Sequence, residues 1–222
     1  MANRLDVPDS VRMADIIPPE VLLNAYAHGV FPMAEAGGIA WYRPHRRGVI
    51  PLDERFHIPH GLCRALKRQP FELRWNTAFR EVMRGCSDRK STWIDEVILE
   101  SYSLLHQLGC AHSVECWDQD GLQGGLYGVT LRGAFFGESM FSRKTDASKI
   151  ALVELVTRLR QAGVVLLDTQ WMTDHLRQFG GYELSRRQYE RALAAALEVE
   201  GVIPMRGFCD FPCVFKFSHE QG

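Results

Sequence analysis

Residues 133–149, Gly-Ala-Phe-Phe-Gly-Glu-Ser-Met-Phe-Ser-Arg-Lys-Thr-Asp-Ala-Ser-Lys, contain the transition on which the fold turns. An apolar, aromatic run reads as a strand. It passes through polar residues into a helical pattern with apolar positions at 150, 151, 152, 155, 156 and 159. Asp146 is placed to cap that helix and Gly163 to stop it. One carboxylate, Glu138, interrupts the strand. Burying it unpaired costs several kcal/mol or shifts its pKa. Glu138 therefore either pairs with a cation of this chain, Arg143 or Lys149, or faces one on a ligand.

Upstream, residues 111–117, 122–131 and 134–141 alternate as strands around turns at Asp118-Gln119-Asp120-Gly121 and Arg132-Gly133, an antiparallel meander. Gly124, Gly125, Gly128 and Gly137 inside these strands mark a bulge or the close approach of a ligand. Downstream, Val164-Val165-Leu166-Leu167-Asp168 reads as a buried strand ending in a carboxylate. Side chains at that end of a parallel sheet open into a crevice. A meander, a crossing helix and a parallel strand describe an acetyltransferase-like α/β fold with a mixed sheet. The acyl-CoA version needs a glycine-containing loop at the helix start to bind pyrophosphate. Residues 142–148 contain no glycine, which argues against coenzyme A.

The remaining segments fill in around this unit. A short helix follows Pro18-Pro19 and ends at Gly29, residues 30–33 are extended, and 35–39 form a loop. Residues 48–51 read as an edge strand, because Pro51 removes a ladder donor. A basic helix over 59–69 turns Leu62 and Leu66 inward and Arg64, Lys67 and Arg68 outward. Residues 71–75 alternate as a strand. Asn76, Asp95 and Thr173 are placed as helix caps, and Ser185 to Gln188 form a capping box opening a helix to about Leu197. We divide the chain into a small N-terminal lobe, 1–55, and an acetyltransferase-like domain, 56–222.

Hydrophobic residues make up 46% and charged residues 24% of the 222-residue chain, values ordinary for a globular protein. No apolar run approaches the roughly 18–20 residues that cross a bilayer. The first ten residues lack the apolar core of a signal peptide, so the expected location is the cytoplasm. The six cysteines are scattered, which fits reduced thiols better than a disulfide framework. Cys209, Cys213 and His219 match no standard zinc spacing, and neither the histidines nor Cys116 suggest a triad or a thiol nucleophile. The net charge of −1 conceals a block at 43–80 with nine basic and three acidic side chains. Such a block is either a solvated face or a patch for phosphates. Asp168 with Glu138, on neighbouring strands among aromatic and methionine side chains, describes a pocket for a positively charged group.

Several segments, taken in order, then carry a specific resemblance. They are Tyr26-Ala27-His28-Gly29-Val30-Phe31-Pro32, Ser91-Thr92-Trp93-Ile94, Gly124-Gly125-Leu126-Tyr127-Gly128-Val129, Phe136-Gly137-Glu138-Ser139-Met140-Phe141-Ser142-Arg143 and Leu167-Asp168-Thr169-Gln170. Together they resemble the bacterial leucyl/phenylalanyl-tRNA–protein transferases over roughly residues 17–197. The resemblance implies transfer of Leu or Phe, and less efficiently Met, from aminoacyl-tRNA to the α-amine of proteins beginning with Arg or Lys, marking them for N-degron proteolysis. It implies no cofactor and no metal. Asp168 and Gln170 become the catalytic pair, with Asp168 orienting Gln170 and Gln170 holding the attacking amine. Glu138, Tyr26 and Trp93 become acceptor-binding residues, Glu138 facing the acceptor's basic side chain. Leu126, Gly137, Met140 and Leu155 line the pocket for the transferred side chain. Arg43, Arg64, Lys67 and Arg68 contact the tRNA backbone. Met33 stands where well-known members often have tryptophan, and Trp171 stands where some have a small aliphatic residue. Two rival readings remain: a CoA-dependent N-acetyltransferase, and a non-catalytic adaptor binding basic N-termini through Glu138.

Overall fold

The computed structural model describes residues 16–199. Its centre is a seven-stranded mixed sheet in the order β4-β5-β6-β7-β8-β3-β9. The meander forms as the alternation predicts: β5 (Ala111–Asp118), β6 (Gly121–Leu131) and β7 (Ala134–Ser142) pair antiparallel in sequence. Helix α5 (Ala147–Gln161) then crosses over, and β8 (Leu166–Asp168) returns parallel to β7, with Phe136 opposite Asp168. Every other pairing in the sheet is antiparallel. This is the acetyltransferase-like α/β arrangement.

Helices cover both faces of the sheet. The buried residues of α5 join those of α2 (His60–Arg68) in one apolar cluster. Those of α1 (Pro19–Ala27), α3 (Phe79–Ser87), α4 (Glu96–Gln107) and α7 (Arg186–Leu197) form the other. Both faces of the central strands are therefore apolar, which is why β6 is buried along almost its whole length.

The structure differs from expectation at several local points. Residues 35–39 lie in a hairpin, because β1 (Phe31–Glu35) and β2 (Gly38–Tyr42) pair as a separate two-stranded sheet. Strand β3 (Arg46–Ile50) is interior, held between β8 and β9 (Tyr182–Ser185). Pro51 falls just beyond its end and removes no ladder donor, and β9 is only four residues long. Asn76 does not cap α3. It adopts a left-handed φ of 58°, and its side-chain oxygen accepts the Ser113 N–H. The two residues leading into α3 are held by the buried Glu115 of β5, which accepts the Thr77 and Ala78 N–H groups at 2.9 Å each, and α3 has no side-chain cap. Asp146 makes no cap hydrogen bond and pairs with Lys149 instead. Asp95, Thr173 and the Ser185/Gln188 box do cap their helices. Cys63, Cys86 and Cys116 are free thiols, whereas Cys110 is disulfide-bonded, contrary to the reduced-thiol reading; cysteine spacing alone carries no information on which thiols the fold brings together. Cys209, Cys213 and His219 lie outside the described residues.

Candidate active site

The local irregularity of β7 places Glu138. Along most of the β6–β7 ladder the pairing is regular, Tyr127 facing Ser139, but the next pair is Gly128 with Gly137. Glu138 is the extra residue of a β-bulge. A bulge re-aims a side chain, and here Gly137 to Met140 all become partly accessible instead of alternating in burial. Gly128 makes the bulge possible, because a Cβ there would lie 2.3 Å from the Phe136 carbonyl oxygen.

Among the described residues Glu138 forms no ion pair. Arg143 donates to the Leu122 carbonyl and Lys149 to Asp146, so the internal ion pair considered from the sequence does not form. Instead Glu138 accepts three hydrogen bonds from neutral groups. Its Oε1 receives the Tyr26 hydroxyl at 2.8 Å and the Gln170 side-chain amide at 3.0 Å. Its Oε2 receives the Tyr102 hydroxyl at 3.4 Å. The two tyrosine hydroxyls, from α1 and α4, also lie within hydrogen-bond reach of each other, so their two protons are shared among the three contacts. Burial pushes the Glu138 carboxyl up to about 8; the Tyr26 hydrogen bond opposes this, the Asp168 charge adds to it, and Arg47 opposes it.

Asp168 is wholly buried behind this group. Arg47 grips it bidentately, Nε to Oδ1 at 2.9 Å and a terminal nitrogen to Oδ2 at 2.7 Å. The Tyr189 hydroxyl of α7 donates to Oδ2 at 2.6 Å, and the Gln170 backbone N–H donates to Oδ1 at 2.8 Å. Burial alone would lower the Arg47 pKa, but the Asp168 charge and its hydrogen bonds more than offset this and raise it. Arg47 also donates to the Gly29 carbonyl and lies 4.8 Å from the Phe31 ring centroid and 4.6 Å from that of Tyr189. Asp168 thus orients Gln170 through its backbone, while the side chain of Gln170 is aimed by Glu138. Gln170 sits at φ 55°, a left-handed conformation for a residue with a side chain. The turn is clamped to β3, where Gly48 N–H donates to the Gln170 carbonyl. A Cβ at Gly48 would come within 2.8 Å of the Trp171–Met172 backbone, so only glycine allows the turn to lie this close.

These elements surround a cavity of about 280 Å³, just below the roughly 300–1,000 Å³ typical of ligand sites. The structure brings Trp93, Leu126, Gly137, Glu138, Met140, Leu155 and Gln170 together in its wall. Tyr26 and Asp168 stand behind the wall as supports. Met33 and Trp171 both line the cavity, and Trp171 sets its edge against Phe31 at 5.1 Å and Tyr42 at 5.9 Å. An aromatic face, 44% exposed at Trp171, therefore stands at the pocket although position 33 is not aromatic.

Three contributors escape sequence reasoning: Arg47, Tyr102 and Tyr189. Arg47 was counted in the basic block, and most of that block proves to be internally neutralised. Arg43 pairs with Glu190, Arg55 with Asp53, Arg74 with Glu72, and Arg80 with Glu100. Arg64, Lys67 and Arg68 project from α2 into solvent and make no ion pair among the described residues. Also among the described residues, no group of three or more His, Cys, Asp or Glu could hold a metal ion, and no helix is long and apolar enough to cross a membrane.

Known proteins align with nearly all of this architecture. The profile described as leucyl/phenylalanyl-tRNA protein transferase matches residues 49–194, and that of its N-terminal domain matches 15–45. The leucyl/phenylalanyl-tRNA–protein transferase of Akkermansia muciniphila is 58% identical over 191 residues, 84% of this chain and 99% of its own. The proteins of the same name from Herpetosiphon aurantiacus and Paramagnetospirillum magneticum are each 53% identical, over 84% and 80% of this chain and 97% and 88% of theirs. Among solved structures, L-PGS from Bacillus licheniformis shares 13% identity at a TM-score of 0.39, over 71% of this chain and 55% of its own. From the matched profiles and the identity of these relatives, the chain belongs to the leucyl/phenylalanyl-tRNA–protein transferase family of aminoacyltransferases.

Proposed function

We propose that the protein moves Leu or Phe, and less efficiently Met, from aminoacyl-tRNA to the α-amine of proteins beginning with Arg or Lys, marking them for N-degron proteolysis in the cytoplasm. The observation that carries this reading is the junction of two unlike surfaces in one cavity. Leu126, Met140 and Leu155 supply an apolar wall, and Gln170 with Glu138 supplies a polar one. The donor's side chain occupies the first, and the acceptor's amine meets the second. The donor ester is already activated, so the protein's task is positioning and proton management. A pocket of apolar side chains discriminates by size and only by a few kcal/mol, which suits accepting both Leu and Phe. Glu138, braced by Tyr26 and flanked by Trp93, supplies the negative charge for a cationic acceptor. The small lobe over 1–55 contributes Tyr26, Phe31 and Met33, and the domain over 56–222 contributes the rest of the pocket.

The decisive experiment incubates the protein with charged Leu-tRNA or Phe-tRNA and a peptide beginning with Arg or Lys, then weighs the peptide. One added leucine or phenylalanine residue is the expected result; no mass gain beside an active control enzyme refutes the reading.

The tRNA contact is assigned to the exposed face of α2 and to Arg43, which would exchange its Glu190 partner for a phosphate. That helix packs on α5, whose Leu152 and Leu155 line the cavity. Cations without carboxylate partners are the ones free to displace counterions from a phosphate backbone. Replacing Arg64, Lys67 and Arg68 together by alanine is expected to flatten the dependence of log affinity on log salt by about two. Filter binding of charged tRNA across a salt series measures the slope. An unchanged slope would move the footprint elsewhere on the surface.

A further inference from the structure

We propose that Glu138 is the proton shuttle of the transfer reaction, holding the acceptor's α-ammonium, taking its protons in turn and passing one to the departing 3′ oxygen. This rests on the aminoacyl-transfer reading above and specifies which of the acceptor's two cations Glu138 serves.

The argument starts from the side-chain amide of Gln170. Its nitrogen is committed to Glu138 Oε1 at 3.0 Å, which leaves its carbonyl oxygen to accept an N–H from the attacking amine. An amide oxygen holds an amine but cannot keep its proton. The nearest group that can is the carboxyl already bonded to the same amide. Glu138 is carried to this place by a bulge, faces the cavity, and has no cationic partner among the described residues. Asp168 is unsuited to the task, because Arg47, Tyr189 and the Gln170 N–H occupy it and it is sealed from the cavity.

The surroundings of Glu138 favour reversible proton exchange. Tyr26 of α1, Tyr102 of α4 and Tyr127 of β6 face it with hydroxyls whose pKa values are raised by burial and by the Glu138 charge, so all three stay protonated. Arg47 of β3 and Asp168 of β8 offset each other's charge. The carboxyl itself, pushed up to about 8, matches an α-amine at roughly 7.7–8.0. A proton passing between groups so matched crosses little free-energy difference.

The proton count closes. At neutral pH the resting carboxyl is protonated, and binding the α-ammonium expels one proton to solvent, leaving a carboxylate against a cation. One proton moves from nitrogen to Glu138, and the neutral amine's lone pair forms the C–N bond to the ester carbonyl carbon. As the C–O3′ bond breaks, Glu138 gives its proton to O3′. It then takes the second proton from nitrogen. The products are an amide, a free 3′ hydroxyl and the protonated carboxyl of the resting state.

The test uses the full chain in two parts. Calorimetry of Arg-peptide binding near pH 7, in two buffers of different ionisation enthalpy, is expected to show release of about one proton. The release should vanish in Glu138→Gln and with an α-acetylated Arg-peptide, and persist with a peptide beginning with citrulline, which keeps the α-amine but carries no side-chain charge. Release that survives acetylation and disappears with citrulline overturns the proposal in favour of a counter-charge for the basic side chain, while leaving the transferase reading intact. No release from the free-amine peptide also overturns it. In single-turnover transfer at saturating tRNA and peptide, Glu138→Gln is expected to be slower by at least about 100-fold and to lose the rise in rate toward pH 8, with tRNA affinity unchanged. A loss confined to the acceptor KM refutes the shuttle. Absence of transfer by the wild-type protein instead refutes the transferase reading.

Discussion

Arg47→Met is expected to lower the unfolding free energy by about 3–5 kcal/mol, the usual effect of removing one partner from a buried ion pair. The Asp168 side chain has no exposure and that of Arg47 only 2%, so the stranded carboxylate can recruit no water. Methionine fills much of the vacated volume, which keeps the cavity penalty small and makes the charge the dominant loss. In a chain of this size the thermal midpoint should fall by roughly 10 °C. Adding Asp168→Asn should recover part of the loss, because the two changes are coupled. Denaturant titration with an unchanged slope measures the effect; a loss below about 1 kcal/mol would mean that the Arg47–Asp168 pair contributes nothing beyond its surroundings. Asp168→Ala strands Arg47 in the same way, so its effect on transfer mixes instability with chemistry.

Gln170→Asn isolates the chemistry. Asparagine tolerates the left-handed conformation that Gln170 adopts at φ 55°, and the backbone bonds to Asp168 and Gly48 are kept. The side chain is shorter by one methylene, so the amide withdraws by more than 1 Å from both Glu138 and the amine. Misplacement of that size costs on the order of 100-fold in rate. Single-turnover transfer from a preformed complex with charged tRNA should show this loss, with stability changed by less than about 1 kcal/mol. A rate within threefold of wild type would remove Gln170 from the reacting centre.

The parts of the site that could be read from the chain are those in which one residue breaks a local pattern. Glu138 interrupts an apolar strand, and Asp168 ends one with a carboxylate, so each signals through its neighbours. The meander and α5 were legible for the same reason: period and turn chemistry are properties of adjacent residues. Arg47 lacked such a signal. It is one of nine basic residues between 43 and 80, and what distinguishes it is a partner 121 positions away. Tyr189 reads as an ordinary apolar-face residue of α7 until its hydroxyl is found on Asp168. The start of α3 fails similarly, because the residues leading into it, Thr77 and Ala78, are held by Glu115, which lies on a distant strand. Strand β3 was placed at an edge from a proline that sits just past its end, and only the pairing of β9 makes it interior.

The position of β3 has a consequence for the life of the chain. Arg47 and its strand are made well over a hundred residues before both neighbours in the sheet, β8 and β9. At about 5–20 residues per second, a guanidinium destined for full burial waits on the order of 10 s beside a half-built sheet. The Asp168 carboxylate gains its last hydrogen bond later still, when Tyr189 of α7 is made. A nascent chain ending before α7 therefore contains every residue that lines the cavity, yet its Asp168 lacks the Tyr189 hydroxyl.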